Sequence, residues 1–271
     1  MIEIKRKTIT EPVSFSGLSL HGGQAVTVTV HPGENGIAFR YGANRYAAVP
    51  SEVTDTTRCT KLGEISTIEH LMSALAVAGI TDCEVEVSGA PELPGLDGCA
   101  QAYFSKIMQM PHQALPARTI DGLFARVYEK GEAHEIAMGR GEGRWRYTFT
   151  SGDRFPGLQE FEVVLTPGVY AAEVAPARTF AFESELPALK QMGLGQGLDE
   201  QSAFAIGKAR YLGTPRFADE PARHKLLDLI GDLYLAGIPP LHLSVVAERS
   251  GHTANVGAAA KLLAAVRDHL D

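Results

Sequence analysis

A chain of 271 residues, 45% hydrophobic and 21% charged, has the composition of a soluble globular protein with room for one large domain or two ordinary ones. Its formal net charge of −7 argues against a broad electrostatic surface for nucleic acid or an anionic membrane, so an anionic ligand has to be met by a few placed cations. Cys59, Cys83 and Cys99 are an odd number without CxxC spacing, which gives no sign of a disulfide framework or a cysteine zinc cluster and fits a reducing, cytoplasmic setting.

The opening "MIEIKRKTITEPVSFSG" alternates charged and apolar residues and reads as a strand, not a signal peptide, and no later apolar run is long enough to span a bilayer. "AVTVTV" (25 to 30) and "GIAFRY" (36 to 41) flank "HPGENG", which predicts strand, turn and strand. In "STIEHLMSALAVAG", Ile68, Leu71, Met72, Leu75 and Ala76 recur at helical spacing. Ser66 or Thr67 is placed to cap the start and Gly79 to end it, so Glu69 and His70 belong to the first turn. "CEVEV" (83 to 87) predicts a strand, "APELPGLDG" a loop and "CAQAYFSKIMQM" a helix. "PHQALPARTIDG" (111 to 122), with two prolines and no periodicity, is the expected domain boundary.

Beyond it, "LFARVYE", "RWRYTFT" and "FEVVLT" read as strands and "ELPALKQMG" as helical. A helix over "RHKLLDLIGDL" (223 to 233), a strand over "LHLSVVAE" (241 to 248) and a C-terminal helix in "NVGAAAKLLAAVRDHL" complete the chain. No internal repeat is visible, and the expectation is α+β, with a first domain over 1–115 and a second over 120–271.

"GLGQG" (193 to 197) follows a helix and lacks dinucleotide-loop spacing, so it reads as a turn-rich loop; HExxH, Walker A and GxSxG motifs are absent from the sequence. His224 and Asp228 stand one helical turn apart, where one cation can bridge them. On spacing alone such a pair more often stabilises a solvated helix face, and His252 in "SGHTAN" more often belongs to an ordinary loop. Taken together, His70, His224 and Asp228 supply the three His and carboxylate ligands that catalytic zinc takes. Glu69, beside His70, is placed to take a proton from water whose pKa a metal lowers to about 7.

"SFSGLSLHGG", "TIEHLMSALAVAGI", "PELPGLDG", "PARTFAF" (176 to 182), "RHKLLDLIGDLYLAG" and "SGHTAN" occur in order and at suitable intervals, and in this the chain resembles the zinc-dependent UDP-3-O-acyl-N-acetylglucosamine deacetylases of lipid A biosynthesis. The resemblance implies two α/β domains, each a helical layer on a β-sheet, with the helical layers packed together and the active site at their junction. It implies His70, His224 and Asp228 as metal ligands, Glu69 as general base, His252 as general acid and Asp232 as the carboxylate behind it. By the same resemblance Thr179 stabilises an oxyanion, while Lys225 and Phe180 contact substrate.

The implied cofactor is zinc, with iron(II) as competing metal, and the implied partner is a UDP-linked acylated glucosamine bound by a cytoplasmic monomer. Arg223 is expected to join Lys225 on the diphosphate, and the "ELPALKQMG" helix to line the acyl chain. Two stretches depart from the family: "GLGQGLDEQSAF" lacks the usual double glycine and Ser-Leu, and Gly95 and Cys99 replace an aliphatic residue and a serine. The readings weighed against deacetylation of this substrate are a paralogous zinc amidohydrolase acting on another N-acyl sugar, and a sugar-nucleotide binding protein without catalysis.

Overall fold

The computed structural model describes residues 1–123 and 125–269, the last three as backbone only. Two five-stranded sheets form its frame. The first runs Val13–Leu18, Ala25–Pro32, Cys83–Gly89, Ile37–Tyr41, Asn44–Ala47 in spatial order, and the second Val127–Lys130, Glu135–Arg140, Leu243–Glu248, Arg144–Thr150, Leu158–Val164. Each has a single parallel pair, formed by its middle strand and the next in that order; every other pairing is antiparallel.

Alternation explains the strands. Val26, Val28 and Val30 are buried, while Thr27 and Thr29 face outward and hydrogen-bond Ser16 and Ser14, each at 2.9 Å. In the second sheet Trp145 and Tyr147 turn inward between polar neighbours.

Six α-helices lie among the described residues: α1 (Glu69–Ala78), α2 (Gln101–Gln109), α3 (Pro167–Glu173), α4 (Leu186–Gln191), α5 (Glu220–Leu233) and α6 (His252–Ala264). In the first half, the first four strands of its five-stranded sheet are followed along the chain by α1, the sheet's fifth strand and α2. The second half repeats that order with α5 and α6, interrupted by the segment holding α3, α4 and the strands Thr179–Phe182 and Ala203–Ile206. This duplication is visible in topology and not in sequence, because alternating burial constrains residue class and not identity.

The fold is α+β, a helical layer on each sheet with the helices packed together. All ten residues of α1 are buried, and α1 lies against α5. The approach is close enough to need glycine: a Cβ on Gly231 would sit 2.0 Å from the Glu69 carbonyl oxygen.

Several local expectations are corrected. Neither Ser66 nor Thr67 caps α1; the N-cap is Ile68, and Thr67, at φ 63°, gives its hydroxyl to Glu92 Oε1 at 3.2 Å. The 111 to 122 segment, which shows no periodicity in sequence, carries two short strands: His112–Ala114 pairs with Lys7–Ile9, and Arg118–Gly122 with Ile2–Ile4, pairings that concern its local structure and not the domain division. The C-terminal helix starts earlier than expected and stops at Ala264; Val266–His269 is a strand beside Arg118–Gly122, where tertiary pairing overrides local propensity. Leu270 of the expected helix and Phe124 of the expected "LFARVYE" strand lie outside the described residues.

Candidate active site

The first turn of α1 and the middle of α5 face each other across the junction. His70 comes from one and His224 and Asp228 from the other, all three buried. Their ligand atoms lie within 4.8 Å of one another. Asp228 Oδ1 is 3.5 Å from Nε2 of both histidines and makes no hydrogen bond despite its burial. An orphaned carboxylate oxygen between two imidazole nitrogens is the donor set a divalent transition metal takes.

The surroundings fix each donor. His224 Nδ1 donates to the Ala177 carbonyl at 3.0 Å, so Nε2 offers its lone pair. Burial lowers the His224 pKa to about 4, keeping the ring neutral as a ligand must be. The His70 and His224 rings meet edge to face with centroids 5.1 Å apart. Asp228 Oδ2 accepts from Lys225 Nζ at 3.0 Å. Burial works to raise the Asp228 pKa, but the charges around it, with the Lys225 ammonium in direct contact, more than offset it and hold the carboxyl well below its usual range.

Glu69 and His252 flank this cluster. Glu69 Oε2 accepts from the Thr60 N–H at 3.0 Å, and Oε1 lies 4.0 Å from His252 Nε2. Burial raises the Glu69 pKa, against the pull of His252 and His70. His252 opens α6, and its Nδ1 donates to Asp232 Oδ2 at 2.9 Å. Burial acts to lower the His252 pKa, yet Asp232, then Glu69 and Asp228, raise it to about 9. Both shifts are upward and differ in cause, burial for Glu69 and the surrounding carboxylates for His252, so the imidazole is held in its proton-carrying form beside a carboxylate.

The cluster opens into a cavity of about 510 Å³ whose lining includes Thr179, Phe180 and Lys225. The strand Thr179–Phe182 is anchored by its neighbour: Arg178 donates from N and Nε to Glu220 Oε1 at 2.9 and 3.0 Å, tying the strand to the start of α5. Phe180 packs edge-on to Phe149 and His224.

Arg223 is elsewhere. Its guanidinium bonds Asp219 at 2.6 Å and Glu173 at 2.5 Å and lies over Phe161 and Phe217, because one step along α5 from His224, and two from Lys225, turns it to a different face. The cation that joins Lys225 along the cavity is Arg58, 3.0 Å from Glu185. α4 has no buried residue, and the lining nearest to it comes from Phe182 and Glu185. The "GLGQG" loop docks backbone to backbone on the 20 to 21 turn, Gln196 N donating to His21 O at 3.0 Å and Gly197 N to Leu20 O at 3.1 Å.

Sequence reasoning missed Thr60, Arg58, His21 and Asn255. Asn255 Nδ2 donates to Asp232 Oδ2 at 2.9 Å. Its spacing of three from His252 on one helix was a usable signal. Thr60 carried none, since its hydroxyl partner Asp232 is 172 residues away.

Comparison with known proteins places the chain among relatives. Residues 6–264 match the family model described as UDP-3-O-acyl N-acetylglycosamine deacetylase. The UDP-3-O-acyl-N-acetylglucosamine deacetylase of Thermosynechococcus vestitus is 36% identical over 266 residues, covering 93% of this chain and 92% of that protein. Proteins of the same name from Anaeromyxobacter dehalogenans and Syntrophotalea carbinolica are each 34% identical, covering 97% and 96% of this chain and 89% and 88% of their own lengths.

Proposed function

The chain belongs to the UDP-3-O-acyl N-acetylglycosamine deacetylase family, and on that premise we propose that it hydrolyses the 2-acetamido group of a UDP-linked, 3-O-acylated N-acetylglucosamine to a free amine and acetate, a step of lipid A assembly. The observation that supports this reading most directly is the convergence of His70, His224 and Asp228 with Glu69 and His252 beside them in one buried cluster at the cavity.

His70, His224 and Asp228 would hold the metal, which we take to be zinc with iron(II) as its competitor. A metal held there would supply Lewis acidity, for the acetyl carbonyl and for the acidity of the attacking water. Glu69 Oε1 takes the proton from that water as its oxygen joins the carbonyl carbon. The Thr179 hydroxyl donates to the carbonyl oxygen as negative charge gathers there, an effect worth about 3 kcal/mol for such a donor in comparable sites. The C–N bond then breaks, and His252 Nε2 gives its proton to the departing nitrogen, with Asp232 on Nδ1 holding the ring charged.

Lys225 and Arg58 meet the diphosphate and Phe180 packs on the sugar or acyl portion. The whole is read as a cytoplasmic monomer of two domains, 1–115 and 120–271; among the described residues no helix is long and apolar enough to cross a membrane.

Acetate release from the UDP-linked 3-O-acylated substrate, followed before and after chelation, tests the proposal. Release that chelation abolishes and added zinc restores is the predicted result. Equal turnover of simple N-acetylglucosamine derivatives would instead favour an amidohydrolase of different specificity.

A further inference from the structure

Between the short strands Val53–Asp55 and Lys61–Leu62, the chain of the first half carries Thr60 into the protein, where it is fully buried. Its backbone N–H donates to Glu69 Oε2 at 3.0 Å, and its hydroxyl donates to Asp232 Oδ1 at 2.5 Å. The same hydroxyl oxygen lies 3.3 Å from His252 Nδ1. One residue therefore touches the carboxylate assigned to take a proton and the carboxylate behind the imidazole assigned to give one. Glu69 stands on α1 and Asp232 on α5, so the contact also crosses the junction between the halves.

We infer that Thr60 is a positioning residue that sets the orientation of base and acid toward each other; the roles it serves rest on the deacetylase reading, the hydrogen bonding does not. An ionised carboxylate only accepts, so the single hydroxyl proton goes to Asp232 Oδ1. That leaves Asp232 Oδ2 for the His252 Nδ1–H at 2.9 Å and for Asn255 Nδ2. The tautomer follows: with Nδ1 carrying a proton, Nε2 is the nitrogen that exchanges one, and it faces Glu69 Oε1. On the other side, the Thr60 N–H occupies Glu69 Oε2 and leaves Oε1 as the reactive oxygen. Valine has the same shape and lacks the donor, so Thr60→Val leaves Asp232 Oδ1 buried without it.

The test compares Thr60→Val with Thr60→Ser in the metal-loaded full chain by steady-state kinetics and by the low-field NMR resonance of the His252 Nδ1 proton. Thr60→Val is expected to lower kcat about ten-fold or more with KM within about two-fold, and Thr60→Ser to restore most of it, as for a bond to a charged group that acts on the chemical step. The Nδ1 resonance is expected to move in Thr60→Val and return in Thr60→Ser. A resonance unmoved in Thr60→Val overturns the inference, as does a serine variant impaired as deeply as valine, since that pattern reports lost methyl packing. If the unsubstituted protein releases no acetate, the deacetylase reading fails and the resonance alone decides the role of Thr60.

Discussion

Asp228 divides its two oxygens between two tasks: Oδ2 is engaged by Lys225, while Oδ1 points between two imidazoles without a hydrogen bond. Replacing it by asparagine keeps the shape and removes the charge, and should weaken metal retention about 10-fold or more, read by dialysis against a competing chelator. Glu69→Gln keeps its N–H partner but has no basicity, so kcat should fall by about 10²- to 10⁴-fold with the metal retained. A glutamine variant within a few-fold of the parent would remove Glu69 as base. The pH dependence follows from His252. An imidazole whose pKa is raised to about 9 is protonated at neutral pH and loses the donor form as pH rises through that value, so kcat should decline on a basic limb at or below about 9. A nearby metal cation acts to bring the limb down, and Asp232→Asn should bring it down further. A limb at the same position in Asp232→Asn would separate the aspartate from the proton donor.

α5 shows both how far periodicity carries and where it stops. The recurrence of His224, Asp228 and Asp232 every fourth residue is legible in the sequence, and the structure turns all three inward. What the pattern does not reveal is the opposing surface, because α1 is buried on every side and its polar first turn gives no amphipathic stripe to match. Close packing of the two helices rests on Gly231, so Gly231→Ala should force them apart and destabilise the protein by about 1–3 kcal/mol, measured by denaturant midpoint, with loss of metal exceeding the loss of fold. Undiminished metal binding in that variant would show that the junction tolerates displacement. The Arg178 and Glu220 pair makes a second element-level prediction. It is buried, and Glu220 also accepts from the Arg216 N–H at 2.5 Å, so Glu220→Ala should cost about 3–5 kcal/mol.

At the scale of the whole molecule, the arrangement is a duplicated sheet-and-helix unit whose corresponding helices, α1 and α5, each bring metal-type ligands to the junction. Fold class and the main strands and helices were readable because alternation and helical spacing are local. The repeat, the strand pairing of 112–114 and 118–122, and the conversion of 266–269 from helix to strand were not, because each depends on partners far along the chain. The same distinction divides the site: His70, His224 and Asp228 lie in recognisable motifs, whereas Thr60 and Arg58 acquire their places only when the halves close together. The most direct measurement is the metal content of the purified chain and of its His70→Ala, His224→Ala and Asp228→Ala variants after dialysis. One tightly held zinc per chain, lost in every variant while the fold persists, is the predicted result; undiminished metal in any of the three would contradict it.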